Sequence, residues 1–184
     1  MNLKSDISTF FRFLEVGVFE TENEFSLQHE LGIFLRTMIE SPYKLQFGRS
    51  VNFFYPNEKG QKSEIDIVIY NPATEERYGI ELKFPNKGQH VEQMFHLIKD
   101  IKFMEEVKKL GFTKTYAVTY VEDALYFRGS KMDGIYAYFR SNKPIHGVIQ
   151  KHGGKKEDSL QIENTYKIRW NSLGNGGKYY IVET

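Results

Sequence analysis

Two short runs decide most of what this chain can fold into: residues 63–70, SEIDIVIY, and residues 78–85, YGIELKFP. A strand has a side-chain period of two. Ile65, Ile67 and Ile69 therefore share one face of the first run, with Glu64 and Asp66 on the other. In the second run Ile80, Leu82 and Phe84 oppose Glu81 and Lys83. The turn-rich stretch NPATEE at residues 71–76 suits a hairpin connection. With both apolar faces on one core, two or three carboxylates and one lysine meet on the opposite side.

Carboxylates held close together repel unless a cation neutralises them. Mg2+ is a hard ion that takes one or two carboxylates together with waters and substrate phosphates. The Leu82 carbonyl, between Glu81 and Lys83, offers a further oxygen. A bound metal lowers the pKa of a coordinated water and stabilises charge developing on a phosphate. Lys83 is a compact charge that orients the water or neutralises the phosphate. These parts suit phosphodiester hydrolysis. The bland alternative is a surface hairpin with one solvated face, in which Asp66, Glu81 and Lys83 do nothing special.

Asp66, a gap of 14 residues, then Glu81-x-Lys83 resembles the PD-(D/E)XK nuclease superfamily, with its restriction-endonuclease-like fold. Ile65 stands where the motif has proline. The resemblance covers residues 25–121 and implies a core order of helix, three antiparallel strands, helix and strand, with the motif on the second and third strands. It also implies a metal-dependent nuclease, most simply a DNA endonuclease using Mg2+ or Mn2+. Asp66, Glu81 and the Leu82 carbonyl would hold the metal, and Lys83 would act on the water or the transition state. Many members carry an acidic residue on the helix before the strands, where Glu30 matches. Some use a glutamine on the following helix, where Gln93 matches, with Gln89 behind it. Leu97 stands where the RecB-like branch has a tyrosine, which speaks against a RecB-type exonuclease. Restriction enzymes commonly form homodimers, so a homodimer is a possible state. The alternative on the same fold is a non-catalytic nucleic-acid-binding or assembly module.

The flanking patterns supply the expected elements. Residues 26–40 read as a helix capped by Ser26, with Leu27, Leu31, Phe34, Leu35, Met38 and Ile39 as its buried stripe. Residues 87–110 read as a second helix with a core stripe through Val91, Met94, Phe95, Ile98, Ile101, Met104 and Val107. Its other stripe is Gln89, Gln93, His96 and Asp100, of which His96 and Asp100 are expected at the surface. Residues 44–55, with a break at Gly48, and residues 115–120 read as strands. An earlier helix covers residues 3–16, with Phe10, Phe11 and Phe13 as packing residues. Further on, residues 123–127 suggest a short helix or turn. Residues 134–139, 144–149, 165–170 and 178–182 suggest strands that extend or flank the sheet. The expected fold is thus α/β, a mixed central sheet flanked by helices in the order αβββαβ with additional C-terminal strands, in a single domain over residues 1–184.

Composition sets the remaining bounds. The absence of cysteine excludes a disulfide framework and a zinc-thiolate site. No apolar run reaches the length of a membrane span, and the start MNLKSD lacks a signal-peptide pattern, so a cytoplasmic protein is the default expectation. Net charge is +1, but it is unevenly spread. Residues 1–43 carry 3 Lys/Arg and 7 Asp/Glu, whereas residues 128–178 carry 10 Lys/Arg and 4 Asp/Glu. Lys151, Lys155 and Lys156 on a glycine-flanked loop are therefore candidate phosphate contacts for nucleic acid, or else ordinary solvated lysines.

Overall fold

The computed structural model describes residues 1–56, 64–85, 88–151 and 159–184. Helices α1 (Leu3–Glu15) and α2 (Glu24–Met38) come first. Strands β1 (Lys44–Ser50), β2 (Glu64–Tyr70) and β3 (Arg77–Lys83) follow, then helix α3 (His90–Lys109) and strand β4 (Lys114–Val121). The remainder holds a short helix α4 (Tyr136–Arg140) and strands β5 (Ile145–Gln150), β6 (Ser159–Tyr166), β7 (Asn171–Ser172) and β8 (Lys178–Glu183). From α2 to β4 the order is helix, three strands, helix, strand, as expected. No described helix is long and apolar enough to cross a membrane.

The main sheet is mixed and runs β1-β2-β3-β4-β8-β7. Among the described strands, only β3 and β4 pair in parallel, because α3 carries the chain back between them. The C-terminal strands divide: β7 and β8 extend this sheet beyond β4, while β5 and β6 form a separate two-stranded sheet.

Each face of the main sheet carries its own core. One core joins α1 and α2 to Ile67, Ile69, Ile80, Leu82, Tyr116 and Val118. The other joins α3 and the β5–β6 ribbon to Val68, Ala117, Val121, Tyr180 and Val182. The face that carries Glu81 and Lys83 is therefore not solvated; Glu81 is fully buried within it. This removes the surface-hairpin alternative for Glu81.

Several expectations need correction. Ile65 does not join Ile67 and Ile69 but packs in the opposite core. The regular pairing of β2 with β3 ends at Ile67–Ile80, so strict alternation is lost beyond it. Helix α2 starts earlier than expected: Asn23 is its N-cap, and Ser26 is the third helical residue of a capping box. Met38 is half exposed rather than part of the stripe. Residues 134–139 are not a strand. Ala137, Tyr138 and Phe139 are buried in succession on α4, and Arg140 lies 4.1 Å over the Tyr136 ring one turn back. Packing overrides the β propensity of these aromatics. Strand β6 ends at Tyr166, so residues 167–170 are not part of it. Phe10 and Phe11 are core residues, whereas Phe13 is partly exposed and packs edge-on against Phe19 and Phe34. Ser63, Lys87 and the loop with Lys155 and Lys156 lie outside the described residues.

Helix α2 approaches β1 at Gly32. A Cβ there would sit 2.1 Å from two atoms of the Phe47 ring. Phe47 is on the edge strand and partly exposed, so its ring has room to swing out. Gly32→Ala is expected to destabilise the protein by about 1 kcal/mol, the low end for overpacking, because the ring yields. Urea unfolding of the variant checks this; a stabilised variant would show that the helix–strand approach needs no glycine.

Candidate functional site

The site forms where β2 and β3 part. Past the Ile67–Ile80 pair, β3 stays paired with β4 through Lys83, but its backbone N–H groups that face β2 lose their strand partners. Side chains replace them. Leu82 N donates to Asp66 Oδ2 at 2.8 Å, and Phe84 N donates to Glu24 Oε2 at 3.3 Å. Gln28, one turn along α2 from Glu24, donates through Nε2 to the Asp66 carbonyl at 2.7 Å. Two carboxylates thus stand in for a strand ladder and are held at the C-terminal end of β3 by the need to satisfy buried backbone donors.

Lys83 is the centre of this cluster. Its ammonium donates to Glu24 Oε1 at 2.7 Å and to the Leu82 carbonyl at 3.0 Å, and lies 3.5 Å from Glu81 Oε1. Burial alone lowers its pKa, but the charges of Asp100, Glu24 and Glu81 and the hydrogen bond to Glu24 outweigh this and raise it above the ordinary lysine value of 10.5. Lys83 is therefore a permanent cation at neutral pH. That charge suits an electrostatic role beside these carboxylates.

The sequence-derived residues fare differently. At the end of β3, Asp66 accepts from the Leu82 N–H, and Lys83 lies on Glu81 and the Leu82 carbonyl. Glu64 is exposed one step along. Glu30 lies roughly 120° around α2 from Glu24, and its ion pair is with His29 at 3.6 Å. Glu24, rather than Glu30, is the α2 carboxylate recorded on the cluster. Its place was readable, since the Asn23–Ser26 capping box puts it in the first turn.

Helix α3 covers the site from the other side. Asp100, expected at the surface, is buried and contributes to the field on Lys83. His96 is 54% exposed and pairs with Glu92 at 3.1 Å. Gln93 accepts a hydrogen bond from Tyr126 at 3.0 Å and donates to the Gly88 carbonyl at 3.3 Å. His90 and Asp123 pair at 2.7 Å beside Tyr126 and tie the start of α3 to the segment after β4. Gln89 caps α3 with a left-handed backbone, φ 47°, and no side-chain capping bond.

A cleft of about 520 Å³ opens between α2 and α3. Glu24 and Lys83 form part of its wall, with Phe25, Phe84, Gln89 and Gln93 around them. Asp66 and Glu81 are not on that wall; Lys83 and Glu24 link them to it. Lys151 bonds Glu92 Oε2 at 2.8 Å, and Glu92 also lines the cleft, so Lys151 sits beside its rim.

What the arrangement can do follows from its donors. Oxygen atoms of Asp66, Glu81, Glu24 and Leu82 are hard ligands of the kind Mg2+ or Mn2+ takes. Among the described residues, no group of three or more His, Asp or Glu side chains is already arranged to hold a metal ion. The Lys83 ammonium instead occupies a position between two carboxylates and a carbonyl. Against known proteins, no family model, no curated protein and no solved structure matches this chain.

Proposed function

We propose that the protein is a metal-dependent nuclease of PD-(D/E)XK type, with a restriction-endonuclease-like core and DNA as its substrate. The observation that carries this reading is the end of β3, where Lys83 lies on Glu81 and on Glu24 of α2, in the field of Asp100 of α3, and Asp66 holds the Leu82 N–H between them. The order αβββαβ around that point, with β3 and β4 parallel, agrees with it.

The donor set fits a hard divalent cation in kind, and Asp66, Glu81 and the Leu82 carbonyl would hold it, with Glu24 in the part expected of Glu30. When bound, Mg2+ or Mn2+ supplies Lewis acidity and a coordinated water of lowered pKa. Lys83 would neutralise charge on the phosphate or orient the attacking water. Asp66 keeps the end of β3 in place through the Leu82 N–H, so the same carboxylate orders the backbone that carries Glu81 and Lys83. Gln93, fixed by Tyr126, faces the cleft as a polar group for substrate. Lys151 at the rim is a candidate phosphate contact.

One observation favours a second reading. Lys83 already bridges Glu24, Glu81 and the Leu82 carbonyl, which balances the acidic groups with no metal. That arrangement equally suits a non-catalytic nucleic-acid-binding or assembly module.

Cleavage of supercoiled and single-stranded circular DNA in Mg2+ or Mn2+, beside EDTA and Asp66→Asn, separates the two. Asparagine still accepts the Leu82 N–H but carries no charge, so the fold is retained. The nuclease reading expects nicking or linearisation that disappears in both controls. DNA binding with no cleavage in either metal would instead establish the binding module.

A further inference from the structure

Phe25 is the second residue of α2 and is 76% exposed. It is not an isolated surface aromatic. It forms part of the wall of the cleft that holds Glu24 and Lys83. Its ring lies nearly parallel to the His29 imidazole one turn on, with centroids 6.4 Å apart and planes 15° apart. The i, i+4 spacing on α2 directs both rings to the same side of the helix. The result is an exposed aromatic ledge at the lip of the cleft.

Resting on the nuclease reading above, we infer that this ledge stacks an unpaired nucleobase, and that the substrate class is single-stranded DNA or duplex with unpaired ends, flaps or bubbles. In a continuous duplex the base faces are hidden in the stack, so a ring at the lip can meet one only after unpairing. Aromatic stacking is also the sequence-tolerant way in which proteins hold single strands. The cleft volume of about 520 Å³ lies within the range of sites that enclose a small ligand. Gln89 and His96 on its far side place an amide and an imidazole where a base edge can be hydrogen-bonded. With a base on Phe25, the adjoining phosphate lies towards Glu24 and Lys83, the neighbours of Phe25 on the cleft wall.

The test is binding of a single-stranded oligonucleotide carrying 2-aminopurine, and of the duplex of the same sequence, with Ca2+ replacing Mg2+ so that binding is read apart from cleavage. The wild type should bind the single strand at least tenfold more tightly and quench the probe. Phe25→Ala should weaken single-strand binding about tenfold and leave duplex binding unchanged, while Phe25→Trp keeps the preference. Because the side chain is largely exposed, both variants should fold as the wild type does, which circular dichroism checks. Duplex cut or bound as well as single strand, with no effect of Phe25→Ala, overturns this inference and leaves the nuclease reading standing. A wild type that neither binds nor cuts any of these DNAs overturns both.

Discussion

Lys83→Ala is expected to cost the fold about 3 kcal/mol at neutral pH and to abolish metal-dependent cleavage. The side chain of Glu81 is wholly buried beside the ammonium, and Glu24 Oε1 lies only 2.7 Å from it. Removing one partner of a buried pair leaves the other charge in a poorly solvating environment, which outweighs the lost attraction itself. Urea unfolding at pH 7 measures the effect. Adding Glu81→Gln to the variant should recover most of the loss, since the buried charge is then gone. A loss below about 1 kcal/mol for Lys83→Ala would mean that other groups already neutralise Glu81. The pH dependence has a definite sign. The folded-state pKa of Lys83 is raised, so its contribution is complete below the ordinary value of 10.5 and is lost only as pH rises through the higher folded value. The gap between wild type and Lys83→Ala should accordingly stay level between pH 7 and about 10. If a divalent cation shares the site, it should stabilise the variant more than the wild type, because no ammonium competes with it.

Glu105→Ala is expected to destabilise the protein by about 3 kcal/mol, or roughly 6–12 °C in Tm, through a quite different device. Glu105 is a buried carboxylate on α3. It accepts from Asn164 N at 2.8 Å, Asn164 Nδ2 at 2.9 Å, Glu163 N at 3.2 Å and the Tyr166 hydroxyl at 3.2 Å. One side chain thereby ties β6, and with it the β5–β6 ribbon, to the main helix. Alanine removes the acceptor for all four donors at once, and buried donors without acceptors are costly. Burial alone raises the carboxyl pKa, but the hydrogen bonds from Asn164, Glu163 and Tyr166 more than reverse this, so it stands below its ordinary value of 4.5. Its contribution is therefore complete above that value and fades as pH falls through the depressed folded value. Unfolding measured from pH 7 down to pH 3 should show wild type and Glu105→Ala converging only in acid. A difference that stays constant to pH 3 would show that the loss comes from packing rather than from the ionised carboxylate.

The strands and their polar residues were legible because a period of two is unambiguous when isoleucines alternate with Asp and Glu. Glu81 and Lys83 could be placed from residues 78–85 alone. What the sequence did not reveal was that a helix would cover their face. Asp100 shows why. Helix α3 is buried around much of its circumference, at Leu97, Asp100, Phe103 and Glu105 as well as along its apolar stripe. A one-sided reading of helical periodicity assigns such residues to solvent. Glu24 was obscured by a helix start placed at Ser26, although Asn23 forms the cap. Residues 134–139 were misassigned because aromatic composition favours a strand, while the helix there is set by burial of three successive side chains. Ile65 left its predicted face for a tertiary reason, the parting of β2 from β3.

The sheet order also has a consequence for biosynthesis. Strand β4 is flanked by β3 and β8, and residues 122–177 lie between its end and β8. On a translating ribosome β4 can pair on one side well before its other neighbour exists. Until residues 178–183 have been made, the backbone of Tyr116 to Val121 is an open edge flanked by large aromatic side chains, the kind of surface that recruits a foreign strand. Closing the sheet also brings Tyr179 onto Phe11 of α1, with ring centroids 4.0 Å apart, so this late strand joins the first helix of the chain to the finished core. The nascent chain is therefore most exposed to misassembly between the emergence of β4 and that of β8, and a chaperone that shields strand edges would act in that interval.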